Sequence, residues 1–261
     1  MIQRSPAEIS YLSTLLASGQ RPDSRKSSTF RPVTIQTSVL PAAFGSSRVS
    51  GPAGEIIVGI KAQVAPVGEY LVSVEVDGHK DDDPLPLLVN ETLQRHIRAC
   101  LPPKTLQITT KSAWVVYIDV YITSFDSHPL ELASLAAVLA LRDTRLPQTI
   151  IEDDEYTIYD DWESATLIPG IENLGALSIA NCYQSLIFFD ASAEEELVSD
   201  FRIAVGVNGQ GSIILTQSLQ SRRALRAPNI SKVLENAREI ACEIGHVAKV
   251  GGGEGTGLWA N

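Results

Sequence analysis

The chain has 261 residues, 44% of them hydrophobic, and 21 Lys and Arg against 31 Asp and Glu give a net charge of −10. That much apolar material excludes a disordered chain and allows one large domain or two smaller halves. No stretch approaches the ~20 apolar residues of a membrane span, the N-terminus lacks the apolar run of a secretory signal, and Cys100, Cys182 and Cys242 lie too far apart for a disulfide framework or a zinc site, which suits a reducing compartment.

Ser5-Pro6-Ala7-Glu8 reads as a helix start, with Ser5 as N-cap and Glu8 closing a capping box, and Gly19 ends the helix. Ile9, Leu12, Leu15 and Leu16 share its apolar face. A basic loop follows over 20–31. From Val33 the period changes to two, predicting strands at 33–40, 46–50, 55–64 and 69–77, joined as an antiparallel meander by short links. Helical spacing returns from Pro84 to Cys100. Residues 112–125 alternate clearly, with Trp114, Val116, Ile118, Val120 and Ile122 on one face, and 129–142 is apolar all round, as a buried helix is.

An acidic connection then interrupts the pattern, with seven acidic residues among the twelve of 152–163. The second half repeats the grammar: strands near 176–181, 185–190, 200–208 and 212–218, a turn at Asn208-Gly209, and a helix from Asn229 with Ile230, Val233, Leu234, Ala237, Ile240, Ala241 and Ile244 on one face. The expected organisation is an N-terminal helix and loop over 1–29, a first half over 30–147, the connection over 148–170, a second half over 171–248 and a flexible tail over 249–261. Strands followed by helices in each half predict an α+β, or mixed α/β, fold with helices packed on a mixed sheet.

The acidity is segregated. Residues 147–201 hold 13 Asp and Glu and no Lys or Arg, so the remainder of the chain sums to +3 (21 Lys and Arg against 18 Asp and Glu) and is free to meet a polyanion. Three basic clusters stand out: Arg21, Arg25, Lys26 and Arg31; Arg95 and Arg98, three apart on one helical face; and Arg222, Arg223 and Arg226. Surface ion pairing is the bland reading of each, and RNA contact the sharper one, with Arg95 and Arg98 the candidate RNA-binding residues. His79, His96, His128 and His246 show no ligand spacing, so no metal or other cofactor is expected, and the sequons at Asn90 and Asn229 carry no expectation of glycosylation. The Asp190 to Glu196 acid cluster reads first as a solvated turn and second as a carboxylate site for a metal-dependent hydrolase.

Arg21-Pro22-Asp23-Ser24-Arg25, Phe30-Arg31-Pro32, Val39-Leu40-Pro41, Gly45-Ser46-Ser47-Arg48-Val49 and Gly59-Ile60-Lys61-Ala62, continuing through Arg95-x-x-Arg98, Asp126, Ala133-Ser134-Leu135-Ala136-Ala137 and Asp190…Glu194-Glu195, resemble the RNase PH-like family, and within it the non-catalytic branch. The resemblance implies an internally duplicated fold and a six-membered ring of related exosome subunits with one direct heterodimer partner. It further implies cap proteins, single-stranded RNA threaded through the ring, no membrane, and residence in nucleus, nucleolus and cytoplasm. Active relatives bind inorganic phosphate at the start of the buried helix through a Gly-Gly-Thr/Ser-Arg type run. This chain has Ser127-His128-Pro129-Leu130-Glu131 there, where Pro129 removes a donor and Glu131 adds charge, so no catalytic residue is expected. The alternative is an active phosphate-dependent 3′-to-5′ exoribonuclease. Ser24 stands where relatives usually carry glycine.

Overall fold

A computed structural model of the chain describes residues 5–152, 155–159, 161–222 and 227–250. Helix α1 (Pro6–Ala17) is capped as its sequence dictates: Ser5 Oγ accepts from the Glu8 N–H, and the Glu8 carboxylate accepts from the Ser5 N–H at 2.7 Å. Leu12 and Leu16 are its buried residues, whereas Ile9 is exposed. The first half contains β1 (Thr34–Thr37), β2 (Gly45–Gly51), β3 (Gly54–Ala65), β4 (Glu69–Val76), α2 (Pro84–Cys100), β5 (Ala113–Phe125) and α3 (Leu130–Asp143).

The expected meander fails at its last step. β1, β2 and β3 pair antiparallel in sequence order, but β5 inserts between β3 and β4 and runs parallel to β4. The reason is the connection: α2 carries the chain back across the sheet, which is how neighbouring parallel strands are joined. β5 is also the more apolar strand, with Trp114, Val116, Ile118, Val120 and Ile122 all buried, and so takes the interior position.

Two short strands, β6 (Arg145–Leu146) and β9 (Thr166–Leu167), close the base of the acidic connection, and β7 (Thr149–Glu152) pairs with β8 (Glu155–Ile158) in a hairpin that forms its own two-stranded sheet. The second half comprises β10 (Leu174–Tyr183), β11 (Leu186–Phe188), α4 (Ala193–Val198), β12 (Phe201–Asn208), β13 (Ile213–Ser221) and α5 (Ala227–Val250), with sheet order β11-β10-β12-β13. The helix expected from Asn229 thus starts slightly earlier and reaches into the segment expected as tail; 251–261 lie outside the described residues. On α5, Val233, Ala237, Ile240, Ala241 and Ile244 are buried and Ile230 is exposed.

One continuous apolar core joins both halves, with α3 as its shared element: ten of its residues, Leu130 and the run Ala133–Leu141, are buried. β11 covers only Asn181–Tyr183 of β10. Upstream of that, the Leu177 and Ile179 N–H groups donate to Ser134 Oγ at 3.0 Å and to Glu131 Oε1 at 2.9 Å, so α3 side chains satisfy a strand edge that no strand covers among the described residues. α2 packs as closely. His96 is buried and donates from Nε2 to the Val207 carbonyl at 3.0 Å, and a Cβ on Gly206 would sit 2.6 Å from its ring. Burial holds this imidazole neutral, its pKa lowered to about 4.

Candidate functional site

The loop that precedes β1, the entry to α3 and the turn after β11 meet where the two halves join. Ser24 adopts φ 61° in this loop, the left-handed conformation that glycine takes freely. Asp190, at φ 45°, is a second left-handed residue, tolerable for Asp because a short polar side chain can bond locally.

These loops are held by arginine and carboxylate. Arg21 donates from Nε and Nη2 to the two oxygens of Glu195, both at 2.7 Å, and also donates to the carbonyls of Phe189 and Asp190. Arg25 Nη1 reaches Asp190 Oδ2 at 2.7 Å, Arg31 Nη2 reaches Asp190 Oδ1 at 2.6 Å, and the Arg31 N–H donates to Asp190 Oδ2 at 2.6 Å. Arg31 further bonds Asp126 at 2.7 Å. Burial disfavours the charged guanidinium of Arg31, but Asp190 and Asp126 outweigh it and raise its pKa.

The basic loop is therefore no free patch: Arg21, Arg25 and Arg31 are folded inward onto the acid cluster. The reading of Asp190 to Glu196 as a solvated turn is corrected for the same reason. Asp190 and Glu195 are buried, and Glu195 closes a capping box with Ser192 at the start of α4. The alternative metal role would need oxygens already engaged by four guanidinium groups, those of Arg21, Arg25, Arg31 and Arg202. Two clusters read separately in the sequence are the halves of one ion-pair lattice.

At the start of α3, Pro129 is the N-cap and provides no side-chain cap. The His128 N–H donates to Glu196 Oε1 at 3.0 Å, and the Leu130 N–H donates to His128 Nδ1 at 3.4 Å. Glu196 also pairs with Arg202, whose Nε donates to Asn181 Oδ1 at 3.1 Å. Backbone donors near a helix start, the groups a bound anion would use, are thus taken by side chains of the chain itself. His128 is kept neutral, its pKa lowered to about 3 by burial and by Arg202, and its buried Nε2 has no hydrogen-bond partner among the described residues. Burial pushes the Glu131 carboxyl up to about 8, so near neutrality it is mostly protonated. The charge expected of Glu131 is therefore largely absent, and its effect is structural, through the β10 edge. A cavity of about 40 Å³ remains beside Arg31, His128, Glu131, Asn181, Asp190 and Glu196, room for a few waters.

Arg95 and Arg98 lie elsewhere, on α2. Arg95 Nη1 donates to Gln217 Oε1 of β13 at 3.3 Å and sits 3.9 Å from Glu91, while Arg98 pairs with Glu69 at the start of β4. Both side chains remain about half exposed, at 52% and 42%. Arg222 is exposed at the end of β13; Arg223 and Arg226 lie outside the described residues.

Two α+β halves around a shared buried helix, joined by an arginine and carboxylate lattice, define an RNase PH-like fold. A chain of an archaeal exosome core superposes with a TM-score of 0.75 at 20% identity, covering 93% of this chain and 96% of that one. A chain from a structure described as the Archaeoglobus fulgidus exosome with RNA bound to the active site gives 0.72 at 19% identity, covering 90% and 95%. Family models for the 3′ exoribonuclease family match as domain 1 over residues 29–147 and domain 2 over 176–240. The chain belongs to this family. Among curated relatives, the exosome complex component RRP42 of Saccharomyces cerevisiae is 33% identical, with 79% of this chain and 82% of the relative covered. The rrp42 component of Schizosaccharomyces pombe is 27% identical, with 93% of each covered, and the Rrp42 component of Methanothermobacter thermautotrophicus is 30% identical, with 79% and 81% covered.

Proposed function

We propose that this chain is a non-catalytic ring subunit of an RNA exosome, of the kind its RRP42-named relatives represent. In this reading it pairs directly with one RNase PH-like subunit in a ring of six that carries cap proteins, supports 3′-end processing and degradation of ribosomal and other RNAs, and lines part of the path for single-stranded RNA. The observation that supports catalytic silence is the site at the start of α3, where Glu196 accepts the His128 N–H and Asp190 neutralises Arg31, so the chain's own carboxylates stand where a phosphate would need donors. The two halves are proposed to span 30–147 and 171–248. Arg95 and Arg98, half exposed on α2, are proposed as the RNA contacts. Native mass measurement of the chain purified gently from its own cells tests the assembly: it should travel with several homologous subunits, and isolation as a monomer or as a homo-oligomer alone contradicts the proposal.

A further inference from the structure

Residues 148–175 fall between the two stretches that match the family models. The β7–β8 hairpin they contain is a two-stranded sheet with no third strand among the described residues, and such a hairpin is marginally stable in water on its own. Its register sets Ile151 opposite Tyr156 and Thr149 opposite Ile158, and strand alternation places these four on one face. The apolar members of that face are open, with Ile151 53%, Tyr156 38% and Ile158 41% exposed. A continuous apolar face of this kind marks a surface that is covered in use.

Its surroundings state what covers it. Glu155 begins β8 at the turn of the hairpin, Asp161 and Glu163 lie beyond the other end of β8, all three are exposed, and the sequence from 147 to 201 holds no Lys or Arg. Nucleic acid would meet repulsion from these carboxylates. A protein segment with cations on either side of apolar residues would instead bury the face and meet carboxylates at both ends. Four strand residues span roughly 13 Å, which sets the spacing of those cations at about four residues in an extended segment.

We infer that the hairpin face carrying Ile151, Tyr156 and Ile158 is a docking surface for a partner protein's segment in which lysines or arginines flank apolar side chains. The inference is independent of the ring assignment, since it concerns residues that the family's shared domains do not include.

The test uses the full chain with p-benzoylphenylalanine in place of Ile151 or, separately, of Ile158, expressed in its native cells, purified as its complex and irradiated. The expected product is a cross-link to a companion protein's segment with Lys or Arg on both sides of its apolar residues. Combining the probe with Glu155→Lys and Glu163→Lys should lower the yield of that product about ten-fold or more, because both ends of the surface change sign. Cross-links to RNA, to this chain alone, to a segment without flanking cations, or to nothing would overturn the inference, as would a yield that charge reversal leaves unchanged. If the chain co-purifies with no homologous subunit, the ring assignment fails, while the cross-link still reads the docking surface separately.

Discussion

Arg21 and Glu195, 174 residues apart in sequence, form a two-pronged ion pair at 2.7 Å with each side chain only 1% exposed. The pair ties the N-terminal loop to α4, and the second arginine layer on Asp190 extends the tie to the start of β1. A buried pair of this kind has its value in the loss that follows when one partner is removed, because an uncompensated charge is left inside. Glu195→Gln should therefore cost about 3–5 kcal/mol. The urea midpoint reports this, and an Arg21→Met, Glu195→Leu double variant should recover much of it. Equal destabilisation in the single and double variants would contradict the account.

Asp190 combines a left-handed backbone with two arginine partners. Asp190→Asn keeps a residue that accepts this backbone but loses the charge, whereas Asp190→Ala also pays the conformational strain. Both should destabilise, and Ala should be worse than Asn by about 1 kcal/mol in equilibrium unfolding.

Three buried groups set a pH optimum for stability. Glu131, pushed up to about 8 from its ordinary 4.5, holds a proton that the unfolded chain gives up, so stability falls as pH rises from 4.5 to 8. His128, lowered to about 3, and His96, lowered to about 4, from an ordinary 6.5, refuse protons that the unfolded chain takes up, so stability also falls as pH drops below 6.5. The two trends cross near pH 6.5. Between pH 6.5 and 8 the loss attributable to Glu131 is about 2 kcal/mol, and Glu131→Gln should flatten that limb of the profile in denaturant titrations at each pH. A wild-type profile already flat over this range would refute the assignment of a neutral Glu131.

Arg95 and Arg98 are the exposed cations on α2. Replacing both with Ala in the assembled ring should weaken single-stranded RNA binding and reduce the slope of log affinity against log salt by about 1.4, the value for two phosphate contacts on a single strand. Fluorescence anisotropy across a salt series reads both quantities, and an unchanged slope removes these residues from the RNA path.

Local chemistry was legible in the sequence wherever local chemistry decides: the Ser5–Glu8 capping box, the alternation of β5 and the all-round apolarity of α3. The position of β4 was not, because strand order depends on which neighbour the crossover through α2 brings alongside, and alternation within one strand carries no record of it. The basic loop and the acid turn each stood out as a cluster, yet nothing local said that Arg21 meets Glu195 or that Arg25 and Arg31 share Asp190. Opposite charge in two loops flanking the same buried helix is the signal that could have joined them. Glu131 misled for a related reason: its charge was read from residue type, while its protonation is set by burial beside β10.

The central claim is that carboxylates of the chain occupy the groups a phosphate would need. The most direct measurement incubates the purified chain, alone, with 3′-labelled single-stranded RNA and inorganic phosphate and follows release of nucleoside diphosphates. The account predicts none above a no-protein control at any phosphate concentration. Phosphate-dependent release of nucleoside diphosphates that Asp190→Asn abolishes would contradict it.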